Sequence, residues 1–263
     1  MKQQNTTLNN ALWMVGLVIA FPIALIFIGY AVKTVPRLLG LEYAEQFATN
    51  AQIFVDATKT TLLLTVTSGV LGIMLGTITG IAKLSGFALF RWLASFYVWV
   101  FRGTPLIVQI LFAFNATPIL FPSVVDVPDF DFYAPMVALA LNQGAYNAEV
   151  IRASIQSIPR GQTEAARSLG LSGIQAMWLV ILPQAVRVSI PPLVNNVVSL
   201  LKDTSLATVV GTFELANAID RFKSQTFLVI PSYLTSAAIY LFLTTIMTFF
   251  TNELERRFQT KSR

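Results

Sequence analysis

Charges are rare along this chain, and the apolar runs between them are long. From Ala11 to Val32, 22 residues pass without a charge, and a bilayer-crossing helix takes about 20 apolar residues. A second uncharged run covers Thr60 to Ala82 and carries Gly72, Gly76 and Gly80 at every fourth position. That stripe of small residues predicts close approach of another helix, most simply one of the same subunit. A third run extends from Gly103 to Val125. Here Thr104 suits a helix N-cap and Pro105 the first helical turn. The stretch WLASFYVWVF before it, with Trp92, Tyr97 and Trp99, reads as an interfacial segment. A fourth helix is predicted from Tyr133 to about Ser154. The last lies between Lys223 and Glu253, where 29 residues carry no charge and Pro231 and Tyr233 mark its beginning.

Two segments are ambiguous by length. Ser168 to Val186 is 19 residues without a charge, and Val188 to Phe213 is apolar except for Lys202 and Asp203. The first contains Gly170, Ser172, Gly173, Gln175, Pro183 and Gln184, a poor composition for a lipid-facing helix. It is read as a loop and the second as a span, which makes six helices. Composition agrees with a membrane protein: 55% of residues are hydrophobic and 12% charged, against about 25% charged in soluble domains. There is no cysteine and no histidine. Disulfides, thiolate metal sites, cysteine nucleophiles and Ser-His-Asp triads are therefore excluded, and no catalytic or metal-binding residue is assigned.

Charge placement then sets a topology. Lys83, Arg91, Arg152, Arg160, Arg167 and Arg187, with Arg256, Arg257, Lys261 and Arg263 of the tail, fall on one side, and Asp126, Asp129 and Asp131 on the other. Basic loops stay inside, so both termini are expected in the cytoplasm. Lys33, Arg37, Arg221 and Lys223 run against this pattern, although acidic residues accompany them. The small excess of 18 basic over 13 acidic residues belongs to cytoplasmic loops and not to a nucleic-acid surface. Only Lys2 charges the region before the first apolar run, whose core is too long for a cleaved signal. The first helix is expected to be retained.

On this topology residues 156–187 form a cytoplasmic loop. Its sequence SIPRGQTEAARSLG reads as a short helix preceded by Gln162 and Thr163. Glu164 suits the positive first turn and Arg167 the negative end. Gly170 fits the left-handed position after the last turn. Ser172 then caps a second helix, GIQAMWLVIL, which Pro183 ends. Ala165 and Ala166 keep the first helix thin. Two readings are open for this pair: a knob that enters a groove on another protein, or an amphipathic hairpin resting on the membrane.

Glu164-Ala165-Ala166, then Gly170, then Val180-Ile181-Leu182-Pro183 resemble the cytoplasmic EAA signature of ABC importer permeases. FRGTPLIVQ at 101–109, GAYNAEVIRASIQSIPRGQTEAARSLGLS at 144–172 and LLKDTSL at 200–206 resemble the polar amino acid branch of that family. The resemblance covers roughly residues 55 to 255. It implies an all-α membrane protein: a five-helix permease core at 51–255 with a coupling loop at 156–187, preceded by an extra N-terminal helix and external linker at 1–50 and followed by a basic cytoplasmic tail at 256–263. It implies that Glu164, Ala165, Ala166, Arg167, Gly170, Leu171 and Ser172 meet an ATPase. No Gly-x-x-x-x-Gly-Lys-Ser/Thr loop occurs in the chain, so ATP and Mg are expected on two copies of a partner ATPase and no cofactor here. A second permease subunit, an extracytoplasmic solute-binding protein, an amino acid substrate and the bacterial inner membrane complete the implied system. The competing class is a secondary transporter, which should show inverted repeats with paired broken helices. No convincing repeat is seen.

Candidate substrate contacts are Lys202 and Asp203, with Thr204 and Ser205 beside them. An ionised residue near the bilayer centre costs about 2.5–3.5 kcal/mol on insertion scales. Such residues usually face a partner or a wet cavity. An unwound KDTS turn would offer a carboxylate to an α-ammonium and an ammonium to an α-carboxylate. The structural alternative is that Lys202 snorkels and Asp203 caps the segment after it. Asn142 and Gln143 are further candidates, whereas Glu149 and Arg152, three apart on one helix, read as an ion pair.

Overall fold

The computed structural model describes the backbone of residues 2–258, and their side chains except at 2–15, 17, 18, 125 and 254–258. The basic tail residues Arg256, Arg257, Lys261 and Arg263 lie outside the described side chains. The elements are helical throughout: α1 (Lys2–Leu38), α2 (Ala44–Ala82), α3 (Ala88–Gly103), α4 (Leu106–Leu120), α5 (Phe130–Gln156), α6 (Arg160–Ser168), α7 (Gly173–Ala176), α8 (Leu182–Asp203), α9 (Leu215–Thr226) and α10 (Val229–Phe258). A π-helical turn, Met177–Ile181, joins α7 to α8, and a 3-10 turn, Thr204–Val210, continues α8. Four stretches among the described residues are long and apolar enough to cross a membrane: Ile19–Leu38, Ala44–Ala82, Gly173–Val210 and Val229–Glu253. The bent pair α3 and α4 makes a fifth if counted as one span.

Two expectations are corrected here. The segment around Trp92 to Phe101 forms helix α3, and the chain turns by 104° between it and α4. Thr104 does not cap α4; it ends α3, its hydroxyl donating to the Val100 carbonyl at 2.9 Å. Pro105 supplies the N-cap backbone of α4 instead. Pro183 does not stop a helix: it is the second residue of α8, directly after the π-helical turn Met177–Ile181. The helical run from Gly173 therefore continues to Val210, and the loop expected at 156–187 is helical through most of its length.

The chain divides into two compact units. One comprises residues 1–62 and 213–250. In it Ala24, Ile28 and Val32 line one face of α1 and are buried, and the rings of Phe27 and Phe242 lie 4.9 Å apart. Phe47, Phe54 and Phe222 form an aromatic cluster. Glu214 is fully buried and caps α9, accepting from the Ala216 and Asn217 amides at 2.9 and 2.8 Å. The Tyr240 hydroxyl donates to the same carboxylate at 3.1 Å. Burial pushes the Glu214 carboxyl up to about 7 against these donors, which favour its ionised form.

The other unit holds residues 63–212 and the stretch from residue 251 onward, with α5 at its centre. Lipid offers little hydrophobic drive for helices to meet, so the contact depends on close packing. The glycine stripe supplies it. A Cβ on Gly72 would stand 2.9 Å from Gln143 Cβ, and one on Gly80 would stand 2.8 Å from the Ala148 carbonyl. Gly76 faces Asn147 more closely still. The stripe thus serves packing within the chain, as expected. On other faces of α5, Ala145 and Ala148 pack with Val98 of α3, and Ala138 and Leu139 with Ile110 and Leu200. Lys83 and Arg152 both pair with Glu149, so the expected Glu149–Arg152 ion pair is present and gains a third member from the end of α2.

Candidate functional site

The helix pair at 160–176 is built by local chemistry. α6 begins at Arg160, earlier than the sequence suggested, so Glu164 lies in the middle of the helix and not in its first turn. Arg167 does occupy the last turn. Gly170 adopts φ +86°, and the chain reverses through two hydrogen bonds: Leu171 N–H to the Ala166 carbonyl at 3.2 Å and Gly170 N–H to the Arg167 carbonyl at 3.0 Å. This is a Schellman closure, which satisfies the last carbonyls of α6. Ser172 then caps α7. Its hydroxyl accepts from Gln175 N–H at 3.2 Å, and its own N–H donates to Gln175 Oε1 at 2.8 Å, a reciprocal capping box. Of the two alanines, Ala166 is buried and Ala165 exposed. The outward surface carries Glu164 with Leu169, Ile174, Trp178 and Leu179, all exposed. A compact helical corner with a partly apolar outer surface results, which suits either a groove on another protein or the membrane surface.

The second candidate group lies along α8 and α5. The expected unwound turn at Lys202–Ser205 is instead a change from α-helix to tighter 3-10 winding. The Thr204 hydroxyl donates to the Leu201 carbonyl and that of Ser205 to the Lys202 carbonyl, at 2.8 and 2.7 Å. These hydroxyls satisfy carbonyls at the change of winding, and Thr204 is fully buried. Asp203 is partly exposed and makes no side-chain cap to the following turn. Lys202 is exposed. Neither forms an ion pair with any described residue.

Asn142 and Gln143 are both buried but do different things. Asn142 Nδ2 donates to the Phe101 carbonyl at 3.0 Å and to Gln109 Oε1 at 3.1 Å. Gln109 Nε2 in turn donates to the Phe101 and Thr104 carbonyls and to Thr104 Oγ1, at 2.9, 3.1 and 2.8 Å. This network holds the corner between α3 and α4. Gln143 lies against Gly72 with its Nε2 unpartnered. Sequence reasoning missed Asn147, fully buried and accepting from Asn196 of α8 at 2.8 Å. The signal was present: Gln143 and Asn147 are one turn apart on an otherwise apolar face.

Residues 72–260 match the family described as binding-protein-dependent transport system inner membrane component. The chain is 42% identical over 200 residues to the L-cystine transport system permease protein TcyB of Bacillus subtilis, covering 75% of this chain and 82% of that one. It is 34% identical over 205 residues to the glutamine transport system permease protein GlnP of Escherichia coli K12, covering 78% and 92%. Among solved structures it resembles the crystal structure of an amino acid ABC transporter with histidines, with a TM-score of 0.73 and 35% identity over 80% of this chain and 95% of that one.

Proposed function

Because this chain belongs to the family of binding-protein-dependent transport system inner membrane components, we propose that it is the permease subunit through which a polar amino acid enters the cell, driven by ATP hydrolysis on a separate subunit. The observation that carries this reading is the match to amino acid permeases over nearly their whole length. The exposed, corner-capped knob supports it, because a membrane subunit with no nucleotide loop of its own needs a surface on which an ATPase can act. Glu164, Ala165, Ala166, Arg167, Gly170, Leu171 and Ser172 are assigned to that contact. Two ATPase copies, a second permease subunit and an extracytoplasmic solute-binding protein complete the complex.

ATP closure of the ATPases draws two such knobs together and opens the pathway outward; hydrolysis lets it return. Each ligand biases the switch through its different affinity for the two states. The six-helix topology, with both termini cytoplasmic, is tested by single cysteines, since the chain has none. In intact cells an impermeant thiol reagent is expected to label Asp126→Cys of the outer linker, and Ser172→Cys only after permeabilisation. Outside labelling of Ser172→Cys overturns the topology.

The two relatives named above are permease proteins of L-cystine and glutamine transport systems, and the arginine transport system permease protein ArtQ of Bacillus subtilis is 36% identical over 197 residues, 75% of this chain and 88% of that one. Cystine, glutamine and arginine all carry an α-ammonium, for which Asp203 is the proposed partner. The test is reconstitution with the ATPase and binding protein in proteoliposomes. Wild type is expected to co-purify with the ATPase and accumulate one of these amino acids on ATP addition. Asp203→Asn is expected to keep the complex and its hydrolysis and reduce uptake by about tenfold or more, the equivalent of some 1.4 kcal/mol of lost binding. Uptake by the permease alone, without ATPase, overturns the reading.

A further inference from the structure

An apolar cleft opens where three apolar stretches end. It holds about 360 Å³ and is lined by Ile78, Ile81, Phe90, Ile155, Trp178 and Leu182, a volume in the range of ligand sites. Ile78, Phe90 and Trp178 are each more than half exposed, so the cleft is open to the surroundings of the chain. Its level follows from the helices around it. The candidate span Ala44–Ala82 finishes here, Gly173–Val210 starts here, and the bent pair of α3 and α4 starts at Ala88. Ends of spans lie where acyl chains give way to headgroups.

A cation stands at the rim. Ser85 lines the cleft, and Arg91 Nη1 donates to the Ser85 and Gly86 carbonyls at 2.9 Å each. One nitrogen thus ties the guanidinium to the cleft wall, and these bonds leave Nη2 and Nε free to donate elsewhere. Arg91 is exposed, and no carboxylate among the described residues pairs with it. Glu149 is taken by Lys83 and Arg152. Arg91 also belongs to the first turn of α3, which has no acidic residue and no side-chain cap. A cation there opposes the helix dipole, which favours an anion at that end. Two positive features therefore meet at the mouth of an apolar cleft.

We propose that this cleft binds an anionic phospholipid, with an acyl chain against Ile78, Ile81 and Trp178 and the phosphate on Arg91. Charge selects this occupant. An apolar protein segment would fill the cleft but leave Arg91 unpaired, and a zwitterionic lipid would bring a second cation to a site that already has one. The planar guanidinium fork suits two phosphate oxygens. On the proposed topology the cleft faces the cytoplasmic leaflet, where anionic lipids give the surface its negative potential.

The probe is phosphatidylglycerol brominated on its acyl chains, compared with brominated phosphatidylcholine. Bromine quenches tryptophan at contact range, and Trp178 lines the cleft. The full chain is purified in non-ionic detergent, alone and with its ATPase. Wild type is expected to show saturable quenching, with phosphatidylglycerol bound about fivefold more tightly, the contribution of one basic residue beside an anionic surface. Trp178→Phe is expected to remove the saturable component. Arg91→Gln is expected to abolish most of the preference between the lipids, and Arg91→Lys to keep part of it. Arg187→Gln changes an exposed arginine of α8 that does not line the cleft, and is expected to leave the preference intact. High salt should weaken the wild-type preference, a readout that needs no variant. Equal binding of the two lipids to wild type overturns the proposal, as does a preference that survives Arg91→Gln or high salt, or one that falls equally in Arg187→Gln. Quenching that persists in Trp178→Phe overturns it as well. Quenching seen with the permease alone and lost with the ATPase bound also overturns it, and assigns the cleft to that subunit.

Discussion

Gly76→Val is expected to remove the folded permease from the membrane. The position has ordinary helical geometry, so the backbone imposes no strain. The obstacle is the neighbour: an added Cβ meets Asn147, with the Gly144 carbonyl at 3.0 Å and the Ala148 amide at 3.1 Å. Two of these contacts are backbone and cannot swing away. Overpacking of this kind costs about 1–3 kcal/mol and sometimes more, and a branched side chain adds further atoms. It would also part α2 from α5 beside the Asn147–Asn196 hydrogen bond. Gly76→Ala is expected to lower the melting temperature of the purified complex by roughly 2–10 °C, and Gly76→Val to leave little to purify. Gly86→Ala is the control, since nothing lies within 4 Å of a Cβ there. Normal accumulation of Gly76→Val would show that α2 and α5 separate freely at this level.

Gly170→Val is expected to do the opposite, leaving the permease folded and disconnecting it from its ATPase. Nothing lies within 4 Å of a Cβ at this glycine, but its φ is +86°. The cost is therefore conformational, about 1–2 kcal/mol or more for a residue with a Cβ. The cheapest relief is to open the Schellman corner, which tilts α7 away from α6. Binding-protein-stimulated hydrolysis in proteoliposomes is expected to fall by about tenfold, in line with that strain at 1.4 kcal/mol per decade. Asparagine tolerates the left-handed region, so Gly170→Asn is expected to restore most of the coupling. Equal activity of the valine and asparagine variants, both at wild-type level, would mean that the corner carries no force.

These two glycines also show what could be read from the sequence. The stripe at Gly72, Gly76 and Gly80 and the corner at Gly170–Ser172 were legible because each depends on residues close together in the chain. Spacing of four marks a helix face; Gly followed by Ser marks a stop and a start. Where the outcome depended on partners distant in sequence, reading failed. Pro183 looked like a terminator because nothing local reveals that the π-turn before it carries the helix on. The α3–α4 corner was taken for a simple helix start, since Thr-Pro reads that way. Its real brace, Asn142, comes 33 residues after Gln109. Glu214 was passed over for the same reason, its partner Tyr240 being 26 residues away.

The unbroken winding from Gly173 to Val210 has a mechanical meaning. It runs from the corner at Ser172 past Asn196 to Asp203 without an interruption of helix. At about 1.5 Å per residue, the 38 residues make a strut of some 55 Å. A push on one end of such a strut arrives at the other as tilt or rotation, less what its joints take up. Its compliance is confined to a few places: the π-turn at Met177–Ile181, the prolines at 183, 191 and 192, and the 3-10 turn after Asp203. If the ATPase contact and the Asp203 contact are as proposed, stiffening or softening these joints would change how far a given stroke moves Asp203, without altering either contact surface. On the proposed coupling, the gearing would follow from the bending modulus of one helix.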